Sequence, residues 1–320
     1  MTTGRVKNVL VVGVSGMIGR NTAKFLRDHG YKVRGVSRGF GEYREASAME
    51  ADLADIDLRF GPISNDSFSE EVLDGIDGVV FAAGVSGVAA SFVDPAASRE
   101  GTVTPWLAML RHARPGTRIV LMSSQLVYGP SNGRPFVEID DVAPVSPYAS
   151  NLVLMEHEGS RVAHQRELEV ISLRLGHVFG DVLRLDYPRS HGVVPLMLHD
   201  LAGKGEIRLF GGGSQTVNLL HVLDLAAAIA TVLDQQNFEP LSVFNLNGET
   251  LAVSTVAESL RRGANRGTVL SVPWPPGIER AVAGNIELDD SRFRGGFGWR
   301  PTCSVVEELE RLAASKRPER

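Results

Sequence analysis

The stretch that decides the fold spans residues 8 to 19, Asn8-Val9-Leu10-Val11-Val12-Gly13-Val14-Ser15-Gly16-Met17-Ile18-Gly19. Its first five residues form an apolar run typical of a buried strand, and the rest is a G-x-x-G-x-x-G motif that opens a helix. The first glycine permits a tight turn, the second lets the backbone approach a pyrophosphate, and the third lets the helix pack close to the sheet. Because an amphipathic segment follows at 21–29, the stretch predicts a dinucleotide-binding unit whose helix N-terminus faces the phosphates.

Composition narrows the class of protein. The 320 residues are 43% hydrophobic and carry a net charge of −5, so the chain can bury a sizeable core and lacks the basic stripe of a nucleic-acid-binding protein. The single cysteine, Cys303, excludes an internal disulfide framework and fits a reducing compartment. No apolar run reaches the roughly 18 residues that span a bilayer, and the N-terminus leads directly into a strand. We therefore expect a cytoplasmic protein that binds neither nucleic acid nor membranes.

Apolar runs alternate with helical segments through the first 180 residues. The pattern predicts strands at 8–12, 32–36, 48–52, 78–83, 118–123 and 170–175, and helices at 17–29, 70–74, 95–113 and 148–167. Short buried strands joined by long crossovers indicate an α/β fold with a doubly wound, Rossmann-type parallel sheet. Ligands of such a sheet bind beyond the carboxyl ends of its strands.

The pattern becomes irregular after Gly180, apart from a late helix at 220–233 and a strand at 243–246. We therefore expect two domains, the second a smaller, discontinuous substrate lobe built from separate pieces of chain. The predicted boundaries are 1–180 plus 218–248 for the dinucleotide-binding domain and 181–217 plus 249–320 for the lobe. We expect His221 and Asp224 to anchor the late helix, and Trp299 to fill a core.

The end of the second strand indicates which cofactor is bound. Ser37 and Arg38 stand where a carboxylate would bind the ribose 2′-hydroxyl of NAD, and a hydroxyl with a guanidinium suits a 2′-phosphate instead. We therefore expect NADP(H) to be preferred, with NAD(H) as the alternative. Asp52, placed at the end of the third strand, would accept a hydrogen bond from the adenine amino group. The other residues expected to line the cofactor are Gly13, Ser15, Gly16, Met17, Ile18, Gly19, Leu53, Ala82, Ala83, Gly84, Met122, Tyr148, Leu175, His177 and Val178.

The fifth strand leads into Ser123-Ser124-Gln125-Leu126-Val127-Tyr128-Gly129, and Pro147-Tyr148 follows some twenty residues later. With the glycine motif, these segments closely resemble the extended short-chain dehydrogenase/reductases, the NAD-dependent epimerase/dehydratase family. The resemblance covers nearly the whole chain and includes the segments 174–180, 220–224 and 297–301. It implies that Ser124 hydrogen-bonds the substrate oxygen and that Tyr148 is the catalytic acid/base. Hydride transfer to a ketone does require a proton donor within reach of the developing alkoxide.

One position departs from the family. The resemblance implies a lysine four residues after Tyr148, which lowers the pKa of the tyrosine, and Leu152 stands there. Three interpretations remain open. The protein is a reductase that works without the lysine, or Tyr148 only donates a hydrogen bond while water, His177 or the substrate supplies the proton, or the fold binds NADP(H) without catalysis.

Within the family the chain resembles the NDP-4-keto-6-deoxyhexose reductases of antibiotic sugar pathways, on the segments 36–39, 218–222 and 293–301. This implies reduction of the C4 ketone of a dTDP-activated sugar by NADPH, and we also expect a homodimer. Val217 and Asn218 stand where the family often has an arginine, which leaves room for reduction or epimerisation of another sugar nucleotide or natural-product ketone. No metal site is expected. The predicted substrate residues are Ser86, Ser124, Gln125, Tyr148, His177, Arg208 and Arg292, the two arginines as partners of the pyrophosphate.

Overall fold

A computed structural model of the chain describes residues 6–39, 50–84, 87–180, 192–235, 241–274 and 286–315. Its main element is a seven-stranded parallel sheet in the order β10-β6-β5-β4-β1-β2-β3, which confirms the predicted Rossmann-type fold. The strand order reverses between β1 and β4, and ligands of doubly wound sheets bind at this reversal. The strands are β1 (Asn8–Val12), β2 (Lys32–Ser37), β3 (Asp57–Phe60), β4 (Gly78–Phe81), β5 (Arg118–Ser124), β6 (Glu169–Leu175) and β10 (Leu241–Leu246).

Helices cover both faces of this sheet, so alternate residues of each strand enter two different cores. Val9 and Val11 face one core, packed under α1 (Met17–Asp28) and α7 (Val222–Asp234). Leu10 and Val12 face the other, under α4 (Pro95–His112) and α5 (Pro147–Arg166). The remaining helices on this part of the chain are α2 (Asp66–Leu73), α3 (Val88–Val93) and the 3₁₀ helix η1 (Gln125–Tyr128).

The start of α5 positions the site and is strongly specified by the sequence. The side chain of Ser146 accepts a hydrogen bond from the N–H of Ala149, at 3.2 Å, and Pro147 occupies the first helical position. A serine cap followed by proline favours a helix that begins at a defined residue. Tyr148 is therefore held in the first turn, beside the end of β5.

A second group of elements surrounds a third core. A three-stranded sheet has the order β11-β9-β7, and a two-stranded parallel sheet pairs β12 with β8. Helices α6, α8 and α10 contribute the remaining side chains of that core. The bounds of these elements are β7 (His177–Phe179), α6 (Val193–Lys204), β8 (Glu206–Phe210), η2 (Gly211–Gly213), β9 (Thr216–His221), β11 (Glu249–Ala252), α8 (Val253–Ala264), β12 (Thr268–Val272), α9 (Ser291–Phe297) and α10 (Val305–Ser315).

The late part of the chain contributes to more than one core. Phe293 and Trp299 lie in the core under α1 and α7, and the indole N–H of Trp299 donates to the carbonyl of Asp224. The side chain of Asp224 accepts from the N–H groups of Thr302 and Cys303, so it does anchor the helix as expected. The exact boundaries of the two predicted domains stay a prediction.

Two local predictions were wrong. The predicted third strand at 48–52 is not one, because 50–52 are helical and β3 lies at Asp57–Phe60. As a short edge strand, β3 alternates polar and apolar residues and lacks the apolar run of a central strand. The predicted helix at 70–74 begins earlier, at Asp66, because Asn65 caps it by accepting from the N–H of Phe68. Within 192–217, where the sequence pattern is irregular, the structure contains α6, β8 and the start of β9.

Candidate active site

The glycine turn after β1 has the geometry that a pyrophosphate requires. Gly13 adopts a φ of +94°, and a Cβ there would lie 2.8 Å from the backbone of Ala82 at the end of β4. A Cβ on Gly19 would lie 2.2 Å from the carbonyl oxygen of Gly13. Gly16, which caps α1, offers no side chain to the first N–H groups of the helix. These donors and the helix dipole fit the phosphates of a dinucleotide.

The end of β2 presents one exposed cation. The hydroxyl of Ser37 donates to Ser15 at 2.8 Å and accepts from the N–H of Gly39, so it ties the end of β2 to the glycine turn. Arg38 follows directly and is exposed. Residues 37–39 therefore offer a guanidinium, and no carboxylate, at the position that would face an adenosine ribose.

Asp52 and Leu53 do not lie where the sequence placed them. The carboxylate of Asp52 contacts Lys24 of α1, and it lies 3.6 Å from Arg20. Leu53 is fully buried in the core under α1. The reason is that the chain is still helical at 52 and only later enters β3. The residues that follow β3 are Gly61 and Pro62, and Gly61 donates its N–H to the carbonyl of Ser37 at 2.9 Å.

Ser124 and Tyr148 lie at the same end of the sheet. Ser124 is the last residue of β5, and its Oγ accepts from the N–H of Leu126 at 3.2 Å, which leaves the hydroxyl proton available for donation. Tyr148, in the first turn of α5, donates its backbone N–H to Oγ of Ser91 at 3.1 Å. Helix α5 packs against both β5 and η1, so the two residues predicted to be catalytic lie on neighbouring elements.

The surroundings of Tyr148 keep its phenol neutral. Burial raises the pKa of Tyr148 above its usual value of about 10, because the phenolate is poorly solvated there. Leu152, one turn along α5, is only 4% exposed and belongs to the apolar core under α4 and α5. The position from which a lysine would lower the pKa of this tyrosine is therefore occupied by apolar packing.

A buried polar network supports the site from below. The hydroxyl of Ser123 donates to Glu156 at 2.5 Å, and Glu156 pairs with Arg174 of β6 at 2.7 Å. Arg174 also lies over the ring of Tyr128, whose hydroxyl donates to Oδ1 of Asn245 at 2.7 Å. This network joins the ends of β5, β6 and β10 to η1. Glu156 lies on the same helix as Tyr148, and its partners Ser123 and Arg174 became apparent only in the fold.

Gln125 and His177 form a pair that sequence reasoning did not anticipate, although each was predicted as a substrate residue. Nε2 of the buried Gln125 lies 3.2 Å from Nδ1 of His177. The histidine residue is exposed on one side, and desolvation by the protein around the ring lowers its pKa, so the ring is neutral near pH 7.

The remaining predicted residues lie in different parts of the structure. Ala82, Ala83 and Gly84 do follow β4, and Ile18, Met122 and Val178 pack against the core under α1 and α7. Ser86 lies outside the described residues. The two predicted arginines lie on other elements than Ser124 and Tyr148, Arg208 on β8 and Arg292 on α9.

Arg208 is exposed on β8 and lies 4.0 Å from Glu206. Arg292 donates to the carbonyl of Val243 at 3.0 Å and lies over the ring of Phe244. Because β10 is the edge strand of the large sheet, Arg292 covers that edge, and its assignment as a partner of the pyrophosphate stays a prediction. Arg208 stays a predicted substrate residue.

Comparison with known proteins agrees with this arrangement. The profile of the NAD dependent epimerase/dehydratase family matches residues 9–246. The chain belongs to this family. Membership confirms the resemblance derived from the motifs and the prediction of an NAD(P)-dependent, oxidoreductase-like enzyme.

Curated relatives within the family include reductases and epimerases. A dTDP-4-dehydro-6-deoxyglucose reductase of Escherichia coli is 27% identical over 62% of this chain and 61% of its own length, so the match leaves more than a third of that reductase unmatched. A dTDP-4-dehydro-6-deoxy-D-allose reductase of Streptomyces bikiniensis is 29% identical over 74% of this chain and 76% of the relative. A UDP-glucose 4-epimerase of Lacticaseibacillus casei is 25% identical over 94% of both chains.

Solved structures share the fold. A UDP-glucose 4-epimerase of Thermotoga maritima, solved with UDP-glucose, has a TM-score of 0.82 at 22% identity, covering 97% of this chain and 98% of its own. A UDP-glucose 4-epimerase of Thermus thermophilus, in complex with NAD, has a TM-score of 0.80 at 22% identity, covering 97% and 99%. At this identity the likeness establishes the fold alone.

The described residues include neither a candidate membrane span nor a candidate metal site. None of the helices in the described ranges is both long and apolar enough to cross a membrane. Within the same ranges, no three His, Cys, Asp or Glu side chains are grouped so that they could hold a metal ion.

Proposed function

We propose that the protein is an NADPH-dependent ketoreductase of an NDP-activated 4-keto-6-deoxysugar in natural-product biosynthesis. The observation that carries the proposal is that Ser124 ends β5 and Tyr148 lies in the first turn of α5 at the same end of the sheet, with a phenol whose burial keeps it protonated. Reduction needs a proton donor, and oxidation needs the phenolate. The site therefore suits the reductive direction.

The residues at the site have distinct roles in this proposal. The glycine turn and Arg38 would hold NADPH, which would supply the hydride for the carbonyl carbon. Tyr148 gives its phenolic proton to the carbonyl oxygen as negative charge develops there. The hydroxyl of Ser124, whose Oγ already accepts from Leu126, donates a hydrogen bond to the same oxygen and stabilises that charge.

Preference for NADPH rests on the end of β2. The exposed guanidinium of Arg38 would pair with a 2′-phosphate, and the hydroxyl of Ser37 is already bonded to Ser15 and to the N–H of Gly39. NAD would find no carboxylate at residues 37–39 for its ribose hydroxyls. The glycine turn serves either cofactor, because both contain the pyrophosphate.

The substrate class is supported by relatives whose names describe reduction of dTDP-4-dehydro sugars.

We also propose that the protein is a cytoplasmic homodimer. Phe92 and Val93 of the α3 segment are exposed apolar side chains of the kind that a subunit contact covers. The single cysteine fits the reducing cytoplasm.

A second candidate function is NADP(H) binding without turnover. One observation favours it: the apolar Leu152 in place of the family's lysine, which leaves the nicotinamide ribose and the phenol without a cation from that position. In this case the glycine turn and Arg38 would still bind the cofactor.

Binding and turnover measurements separate the two. NADPH and NADH are titrated into the protein, dTDP-4-keto-6-deoxyglucose is added, and the absorbance of the reduced cofactor is followed. The reductase proposal expects tighter binding of NADPH and consumption of the reduced cofactor that depends on the sugar. Binding of NADPH without reduction of any 4-keto sugar between about pH 6 and 10 would favour the second candidate.

A further inference from the structure

Gln125 directly follows β5 and His177 lies two residues after the end of the neighbouring β6. Ser124 of β5 pairs with Leu175 of β6, and the next side chains to meet are those of Gln125 and His177. The pair therefore lies beside Ser124, at the end of the sheet where the substrate carbonyl is expected. Gln125 is 4% exposed, whereas His177 opens toward solvent.

The donors and acceptors of the Gln125 amide and the His177 ring determine the tautomer of the histidine. An amide nitrogen only donates, so Nδ1 of His177 must be the acceptor in the 3.2 Å contact with Nε2 of Gln125. A neutral ring that accepts at Nδ1 carries its proton on Nε2. That N–H faces away from the buried glutamine.

The opposite orientation of the amide is less favourable. Oε1 of Gln125 is buried with no hydrogen-bond partner among the described residues. Turning the amide over would bury an NH₂ group at that place, with two N–H donors and no acceptor. A buried carbonyl oxygen without a partner is tolerated more often than a buried N–H. The observed orientation is therefore the one the surroundings favour.

We infer that Gln125 is a positioning residue that holds His177 as the neutral Nε2–H tautomer, and that His177 donates this N–H to an oxygen of the substrate beside Ser124. The inference rests on the proposed function. A neutral imidazole is too weak an acid to release its proton here, so its role is to stabilise charge on the substrate oxygen while Tyr148 supplies the proton. Desolvation lowers the pKa of His177, which agrees with a neutral ring.

The tautomer is tested by NMR on ¹⁵N-labelled protein at pH 7. The His177 signals are assigned by their loss in His177→Phe, and His157→Asn, which alters an exposed histidine of α5, is the control. The inference expects a neutral ring with the proton on Nε2. Gln125→Glu should move that proton to Nδ1 or protonate the ring, because a carboxylate can only accept. A proton on Nδ1, or a doubly protonated ring, in the parent protein overturns the inference.

The functional role is tested by a mutant cycle. Gln125→Leu and His177→Phe should each lower kcat for the 4-keto sugar about ten-fold, roughly the effect of one hydrogen bond. The double variant should lose no more than His177→Phe alone, and His177→Asn, which keeps an N–H donor, should recover part of the loss. Independent, additive losses would overturn the inference.

Failure of the proposed function is distinguishable from failure of this inference. If the parent protein reduces no ketone, the reductase proposal fails. The NMR result and the affinity for dTDP-4-keto-6-deoxyglucose, measured by calorimetry, still decide the role of His177. The inference then expects His177→Phe to weaken sugar-nucleotide binding about ten-fold, and an unchanged affinity overturns it.

Discussion

The carboxylate of Glu156 lies 2.7 Å from the guanidinium of Arg174, and the two side chains are 9% and 7% exposed. Removing one partner of a buried pair leaves an uncompensated charge, which costs about 3–5 kcal/mol. We expect Glu156→Ala to lower the free energy of unfolding by about this amount, measured by urea denaturation.

Glu158→Ala is the matched control, because Glu158 lies on the same helix and pairs with the half-exposed Arg161. Exposed pairs contribute about 0–1 kcal/mol. Equal losses in the two variants would show that the buried network does not support the end of β5.

The cofactor preference depends on Arg38. We expect Arg38→Ala to weaken NADPH binding by about 1.5–3 kcal/mol, the contribution of a charge-assisted hydrogen bond, while NADH affinity stays nearly unchanged. Lys32→Ala removes an exposed positive charge from the other end of β2 and should leave both affinities as they are. Fluorescence titration measures them. A parent protein that binds the two cofactors equally contradicts the prediction.

Tyr148→Phe removes the proposed proton donor. We expect kcat to fall by roughly 10²–10⁴, the usual contribution of a positioned acid, and Ser124→Ala to cost less, because one hydrogen bond to the developing oxyanion is lost. Single-turnover measurements with the 4-keto sugar separate this effect from substrate binding. Near-full activity of Tyr148→Phe would mean that the proton comes from water or from the substrate.

The pH dependence follows from the raised pKa of Tyr148. A raised pKa keeps the phenol protonated as the pH rises, so reduction should persist into the alkaline range, whereas oxidation of the alcohol should appear only at high pH. Leu152→Lys places a cation one turn from the phenol and should lower its pKa, which raises oxidation at neutral pH.

Forward and reverse rates between about pH 6 and 10 test this, with Leu152→Met as the control for altered packing. An oxidation profile that is the same in the lysine and methionine variants would show that the ammonium does not reach the phenol.

Cys303 should be unreactive. Burial, together with the carboxylates of Asp224 and Glu308, raises the pKa of the thiol to about 11. Alkylation requires the thiolate, so iodoacetamide should modify the native protein slowly at pH 7 and faster as the pH approaches 11. The control is the same protein unfolded in urea, which should react at the rate of a free thiol. Rapid modification of the native protein would contradict the raised pKa.

The sequence was sufficient to predict the elements that carry strong local patterns. The apolar run before Gly13 and the Ser146-Pro147 start of α5 specify their own geometry, so the glycine turn and the position of Tyr148 were predictable. The third strand was not, because Asp57–Phe60 lies at the sheet edge and alternates polar with apolar residues. Asp52 was misplaced along with that strand.

Partners distant in sequence were harder to predict. Gln125 and His177 meet only because β5 and β6 are neighbours in register, and no local pattern specifies which side chains meet beyond paired strands. Arg292 is a similar case. Its charge predicted a phosphate partner, and no local pattern indicated its contact with the outer edge of β10.

The packing of Phe293 and Trp299 under α1 and α7 has a consequence for folding during synthesis. A ribosome releases α1 and the strands beside it long before residue 293 is made, and folding ordinarily begins as the chain emerges. Here the core under α1 and α7 lacks two of its aromatic side chains until residues 293–299 have left the ribosome. The nascent chain must therefore keep that apolar surface from aggregating, and this core is completed only after those residues emerge.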